Sequence, residues 1–189
     1  MLLGDIANIQ TGILSRPEAT GDYAYLQAKH FDENGKLQSV LKPELKGSRA
    51  LKKHLLDPGN ILFAAKGSKN FATCFEEDYP PAVASTSFFV IRLNTDAVLP
   101  KFLTWFLNSR KTQRFLKANA TATSIASISK SVLEDLEIPV PTIEEQQLIL
   151  QITDLQNQQK KLRHQIDMLH EKRIQQSIEK LISKSAPIH

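Results

Sequence analysis

The last quarter of the chain constrains its fold most. From Thr142 to about Ser183 there is neither Pro nor Gly, and apolar residues recur at Leu148, Ile152, Leu155, Leu162, Ile166 and Leu169. Steps of four, three, seven, four and three residues make the a/d seam of a coiled coil. Gln159 fills the gap, a polar seam residue of the kind that fixes register at some cost in stability. Beyond Leu169 the stripe shifts by one residue, to Ile174, Ile178 and Leu181. At about 1.5 Å per residue such a helix is a rod on the order of 60 Å long. So narrow a seam cannot be buried against a small domain over that whole length. It requires a second helix, and the chain holds no other as long. Thr142, followed three residues on by Glu145, supplies a capping box at its start, and Glu144 and Glu145 complement the positive end of its dipole.

The remaining residues suffice for one domain. Of the 189 residues, 41% are hydrophobic, so the first 138 positions can build a core. Leu2 to Gln10 reads as a short element ending in a turn at Thr11-Gly12, and Ile13 to Thr20 as a loop with Ser15, Arg16 and Pro17. Tyr23 to Lys29 suggests a strand. Turns follow at Glu33-Asn34-Gly35-Lys36 and at Asp57-Pro58-Gly59-Asn60. Ile61 to Ala65 is a short apolar run bounded by turns, hence a buried strand. A polar loop, Lys66 to Asn70, leads into a further strand over Phe71 to Phe75. Val83 to Leu93 predicts one continuous strand, and Lys101 to about Ala118 one helix opened by Pro100. Ser131 and Glu134 have the spacing of a capping box. Leu136 to Pro141 is a proline-stiffened strap. The expected architecture is α+β: a mixed globular domain over 1–138, then the strap and one long C-terminal coiled-coil helix over 139–189.

Charge is uneven. The net formal charge is only +4. Yet Lys42, Lys46, Arg49, Lys52 and Lys53 face a single acid, Glu44, while Lys101, Arg110, Lys111, Arg114 and Lys117 fall in a stretch with none. With Lys66 and Lys69 these clusters suggest a phosphate-facing surface.

Catalytic signatures are missing from the sequence. None of His30, His54, His164, His170 and His189 has a metal-ligand spacing. Cys74, the single cysteine, reads as a buried thiol and excludes a disulfide framework within the chain. Lys66-Gly67-Ser68 ends like a Walker loop but lacks the upstream Gly. There is no nucleophile elbow and no Gly-rich loop for S-adenosylmethionine. Glu76, Glu77 and Asp78 read as a solvated turn. A non-catalytic protein is expected. No apolar run of about 18 residues and no signal-like start is present, so cytoplasmic residence is the expectation.

Several motifs in order carry a resemblance. They are Leu3-Gly4-Asp5-Ile6-Ala7 with Thr11-Gly12, Leu56 to Ala64 (LDPGNILFA), Ala84 to Ile91 (ASTSFFVI), Pro100 to Phe115 with LTWFLNS inside it, and Ile125 to Pro141 ending LEDLEIPVP before Glu144-Glu145-Gln146. Together they resemble the specificity subunit of type I restriction–modification systems, in a half-length form with one target-recognition domain and one spacer helix. The resemblance implies a subunit without catalytic activity that reads double-stranded DNA. It implies recruitment of a methyltransferase subunit, which holds S-adenosylmethionine and methylates adenine, and in full systems of a translocating nuclease. It implies no cofactor in this chain. The start at Met1 on the first motif and the polar tail Ser183 to His189 suggest a self-contained product rather than a fragment.

The expected arrangement is a homodimer with antiparallel long helices, paired through Leu148, Ile152, Leu155, Gln159, Leu162, Ile166, Leu169, Ile174 and Ile178. Lys66, Ser68, Lys69 and Asn70 are one candidate DNA-reading loop, and Ser15 with Arg16 a second. Tyr25, Gln27 and Lys29 are expected to line the same face, and Arg49, Lys52, Lys53 and Lys130 to touch phosphates. Ser124 and Ser129 are expected to serve packing. Two other readings stand beside this one: a coiled-coil interaction module that binds no DNA, and a detached recognition domain of a larger DNA methyltransferase.

Overall fold

Short apolar runs separated by turns build the first part of the chain, and one uninterrupted helix builds the last. The computed structural model describes residues 1–67, 70–121 and 127–184. The chain divides into two compact units, Met1–Gln146 and Gln147–His189.

The first unit contains two sheets. One is antiparallel throughout, in the order β1 (Ala7–Thr11), β7 (Phe88–Leu93), β4 (Ile61–Ala64), β5 (Ala72–Cys74). The other has the order β3 (Pro43–Leu45), β2 (Tyr23–Leu26), β6 (Ala82–Ala84), with β2 and β6 parallel. Strand β4 is buried at every position, as its unbroken apolar run requires of a strand covered on both faces. Leu62 and Ala64 join Leu26, Phe31, Phe71 and Phe88 in the core between the sheets, while Ile61 and Phe63 are equally hidden on the opposite face. Phe31, Phe71 and Phe88 meet pairwise at ring-centroid distances of 5.8–6.0 Å. Gly59 turns the chain into β4 at φ +88°, a conformation that costs a side-chain-bearing residue.

Helices complete the unit. α1 (Leu3–Ile6) packs beside α5 (Lys130–Glu134), and α3 (Pro100–Asn108) covers β5. α2 (Arg49–Lys52) is a single turn capped by Ser48. The strap segment Leu136–Ile138 runs antiparallel to the first residues, with Leu3 N–H donating to Leu136 O and Ile138 N–H to Met1 O.

Four sequence expectations change. The strand expected over Tyr23 to Lys29 ends at Leu26, and Ala28–His30 forms a 3-10 helix closed by His30 N–H on Gln27 O at 3.0 Å. The stretch Val83 to Leu93 is two strands in different sheets, because Ser85, Thr86 and Ser87 fold into a turn closed by Phe88 N–H on Ser85 O at 3.0 Å. The helix expected over Lys101–Ala118 breaks into α3 and α4 (Arg110–Ala118). Ser109 sits extended between them, and its Oγ accepts the Thr112 N–H at 3.3 Å, so a new N-cap outcompetes continuation. The box expected from Ser131 shifts to Ser129, whose Oγ caps Val132 N–H, while Glu134 pairs with Lys130.

The described residues of the second unit all belong to α6 (Ile143–Lys184), a helix of 42 residues whose first turn belongs to the first unit. The expected capping box is present: Thr142 N–H donates to Glu145 Oε2 at 2.9 Å and Glu145 N–H to Thr142 Oγ1 at 3.3 Å. The Glu144 carboxyl is held below the usual carboxylate range by its own backbone N–H and then by Thr142.

Candidate nucleic-acid interface

The strand directions gather several loops at one end of the first unit. Thr11 ends β1 opposite Phe89, Ala64 ends β4 opposite Phe88, and Ala72 begins β5 opposite Phe63. In the second sheet Leu26 and Ala84 finish side by side. The segments after β1, β2 and β4, before β5, and between β6 and β7 therefore share that end.

Backbone hydrogen bonds tie these loops to one another. Ile13 N–H donates to Ala84 O and Ser85 N–H to Leu26 O. Ala65 N–H reaches Ser87 O at 3.1 Å, and Ile128 N–H reaches Ala65 O at 2.9 Å. Lys66 bridges Ser127, which bridges Thr121 in turn. The result is a rim with hydroxyls at Thr86, Ser87, Thr121 and Ser127, with Ser85 buried beside them. Ser85 and Ser87 share a hydrogen bond of 2.6 Å, as Thr121 and Ser127 do at 3.0 Å. Sequence reasoning does not single out these hydroxyls; three consecutive hydroxyl residues interrupting an apolar run are the signal that points to them.

Candidate residues lie on three of the segments that share this end. Arg16, Lys29 and Lys66 are exposed, and Ser15, Gln27 and Asn70 are half-buried. Tyr25 is placed otherwise than expected. It is 3% exposed, its hydroxyl donates to Ile13 O at 2.8 Å and accepts Ser15 N–H at 3.2 Å, and its ring packs with Leu45 and Val83. It fixes the loop that carries Ser15 and Arg16 rather than lining the surface, because its β-strand position faces the core. Asn70 is also committed: its Nδ2 donates to Ala64 O at 2.9 Å, closing the loop at its base. Ser68, Lys69 and Ser124 lie outside the described residues. Next to Lys29, His30 is held below its ordinary pKa, by burial first and by the lysine's charge second, and its Nδ1 accepts Gln27 N–H.

The phosphate candidates are not all brought to this rim. Arg49, Lys52 and Lys53 are exposed on and just after α2. That turn follows Gly47, whose N–H is bound by Asp22 just before β2, so it belongs to the opposite end of the small sheet. Lys130 pairs with Glu134 at 3.3 Å on α5.

Elsewhere, Cys74 is buried, and burial, followed by the charge of Glu76, pushes its thiol up to about 11. At neutral pH it stays protonated and unreactive. A fully buried glutamine, Gln146, binds three backbone groups in the first turn of α6; nothing in its sequence position signals that role. In the second unit, Leu148, Ile152, Leu155, Leu162, Ile166, Leu169, Ile174 and Ile178 are all exposed, Gln159 with them.

A domain that presents a polar loop rim, followed by a long helix with an open apolar seam, defines a class of recognition module with a spacer or pairing helix. The model of the type I restriction modification DNA specificity domain matches residues 1–176, and the chain belongs to that family. Comparison with curated proteins gives no match. Among solved structures, the HsdS subunit from Thermoanaerobacter tengcongensis is similar with a TM-score of 0.60 at 17% identity, covering 84% of this chain and 37% of that one. The type I restriction–modification S subunit from M. genitalium gives 0.57 at 20%, covering 84% and 38%. A chain from a structure describing complex assembly and conformational transition of the type I restriction–modification system gives 0.65 at 20%, covering 94% and 43%. At these identities the likeness is one of fold: an α+β domain and a long helix. The chain spans about two fifths of the length of those solved chains.

Proposed function

We propose that this chain supplies DNA sequence specificity to a type I restriction–modification assembly, one recognition unit reading one half of a bipartite target. The observation that carries the reading is the continuous family match, which runs through the loop-bearing unit and on into most of α6. The rim side chains are of the kinds that read base edges and hold phosphates: Arg16, Gln27, Lys29 and Lys66, with Ser15 and the hydroxyls beside them. The match is to the specificity-domain family, which favours this reading over a detached methyltransferase domain.

The seam of α6 supports pairing with a second long helix, and a second copy supplies one. An antiparallel pair about a two-fold axis sets Glu144 and Glu145 toward the basic far part of the partner copy, Lys172, Arg173 and Lys180; centred close to Leu162, it puts Lys180 opposite Glu144. Two recognition units then face two inverted half-sites. A rod of roughly 60 Å limits their separation to under about 18 base pairs at ~3.4 Å each. In this reading chemistry belongs to other subunits: a methyltransferase that binds S-adenosylmethionine, and a translocating nuclease where one accompanies it. Among the described residues no helix is long and apolar enough to cross a membrane. Cytoplasmic residence fits this role.

Mapping modified bases in cells tests the proposal. With this chain and its methyltransferase subunit present, methylated adenines should fall in one recurring interrupted sequence, and deleting this chain should abolish them. Methylation that persists without it, or that follows no common sequence, would contradict the role.

A further inference from the structure

Helix α4 breaks a local electrostatic rule. Its nine residues include four cations, Arg110, Lys111, Arg114 and Lys117, all exposed, and no acid. Arg110 and Lys111 occupy the first turn, where the positive end of the helix dipole disfavours cations, and no acidic residue offsets them. Three other cations of the unit have partners: Lys46 meets Glu18 at 2.8 Å, Lys101 meets Glu76 at 3.3 Å and Lys130 meets Glu134 at 3.3 Å. Among the described residues, none of the four on α4 forms an ion pair. Phe115 stands among them, 46% exposed. The inner face, Thr112 and Leu116, is buried, so the helix is anchored and its cations are turned outward.

The position of α4 gives the pattern a use. Asn108, at the end of α3, exchanges two hydrogen bonds of 2.8 Å with the backbone of Ala72, at the loop end of β5. After α4, Thr121 bridges Ser127, which bridges Lys66. Both ends of α4 are thus tied to the rim of loops described above. Clusters of cations where a helix disfavours them are relieved by anions, and a row of exposed Arg and Lys beside base-reading loops matches duplex phosphates.

We propose that the outward face of α4 is the phosphate-binding surface that seats duplex DNA against the loop rim. This deepens the reading above and rests on it. The cations of α2, at the other end of the small sheet, do not take part.

Binding of the full chain to a mixed-sequence duplex of 30 base pairs, titrated against salt, tests the assignment. In Arg110→Gln/Lys111→Gln/Arg114→Gln/Lys117→Gln the slope of log affinity against log salt should become shallower by up to about 3.6, at ~0.9 for each phosphate no longer neutralised. The weakening should be equal on all sequences, because phosphates position without specifying. Two half-variants, Arg110→Gln/Arg114→Gln and Lys111→Gln/Lys117→Gln, should each show about half of this change, so the result does not depend on the quadruple variant folding. Arg49→Gln/Lys52→Gln/Lys53→Gln should keep the original slope. An unchanged slope in both half-variants overturns the assignment, as does a loss of methyltransferase-subunit binding with the slope intact, which would give the face to an acidic protein surface. A wild-type chain without salt-dependent duplex binding fails before any substitution is made, and takes the DNA-reading role with it.

Discussion

Gln146 presents no surface to solvent, and its amide is used completely. Oε1 accepts Leu99 N–H at 2.8 Å, and Nε2 donates to Ala97 O at 2.7 Å and Pro141 O at 2.9 Å. It ties the first turn of α6 to the loop before α3 and to the strap. Only an amide of this length supplies both a donor and an acceptor there. Gln146→Ala should cost about 3 kcal/mol, from a cavity and three backbone groups left without partners, and lower the melting temperature by on the order of 10 °C. Gln146→Glu should be worse at neutral pH, because a buried carboxylate would face two carbonyl oxygens. Its folded pKa would be raised, so the protonated form would retain stability below the unfolded pKa of about 4.3 and lose it as pH rises. Melting curves from pH 4 to 8 would show this; a deficit independent of pH would contradict the donor role of the amide. Tyr25 teaches the same lesson from the other side. Its alternation with Gln27 and Lys29 reads as a strand, yet β2 ends at Leu26 and Ala28–His30 is a 3-10 helix, and alternation does not say which face is the core. Only the hydroxyl's bonds to Ile13 and Ser15 reveal that it supports the loop instead of touching a ligand.

At the scale of elements, what was legible followed from local chemistry. The apolar run into β4, the Pro58-Gly59 turn before it and the Thr142–Glu145 box each combine pattern and cap within a few residues. What was not legible turned on competition. Ser109 offers a cap inside an otherwise continuous helical pattern, and Ser85 to Ser87 fold back inside an otherwise continuous strand pattern; in both places hydroxyl residues outweigh apolar continuity. Likewise the cations of α2 and of α4 look alike in sequence and are separated only by topology. Gly12 shows how tightly the rim elements are fitted. A Cβ there would run into the carbonyl oxygens of Ser85 and Ala84, where β1 leaves its sheet alongside the β6–β7 turn. Gly12→Ala should destabilise the unit by about 1–3 kcal/mol through that overlap. Amide exchange of Ile13, whose N–H donates to Ala84 O at 2.9 Å, should accelerate relative to the strand centres. Unchanged protection at Ile13 would show that the two segments separate without cost.

At the scale of the whole molecule, the two units divide the labour. In the proposed reading the first presents loops and cations to DNA, and the second presents a seam to another helix. The long helix was readable because its 42 residues repeat one pattern many times over, whereas each reading loop is a single irregular event. The eight apolar seam residues are exposed in the isolated chain, and the proposed pairing would bury them. Selection from a pool of randomised duplexes, with the methyltransferase subunit present, measures reading and pairing together. The wild-type chain should enrich two inverted half-sites at one fixed spacing. Leu155→Glu/Leu162→Glu/Ile166→Glu, which places charges in the seam, should sediment as a monomer and enrich a single half-site. Enrichment of the full bipartite sequence by that variant, or of no sequence by the wild type, would contradict a DNA reader paired through its long helix.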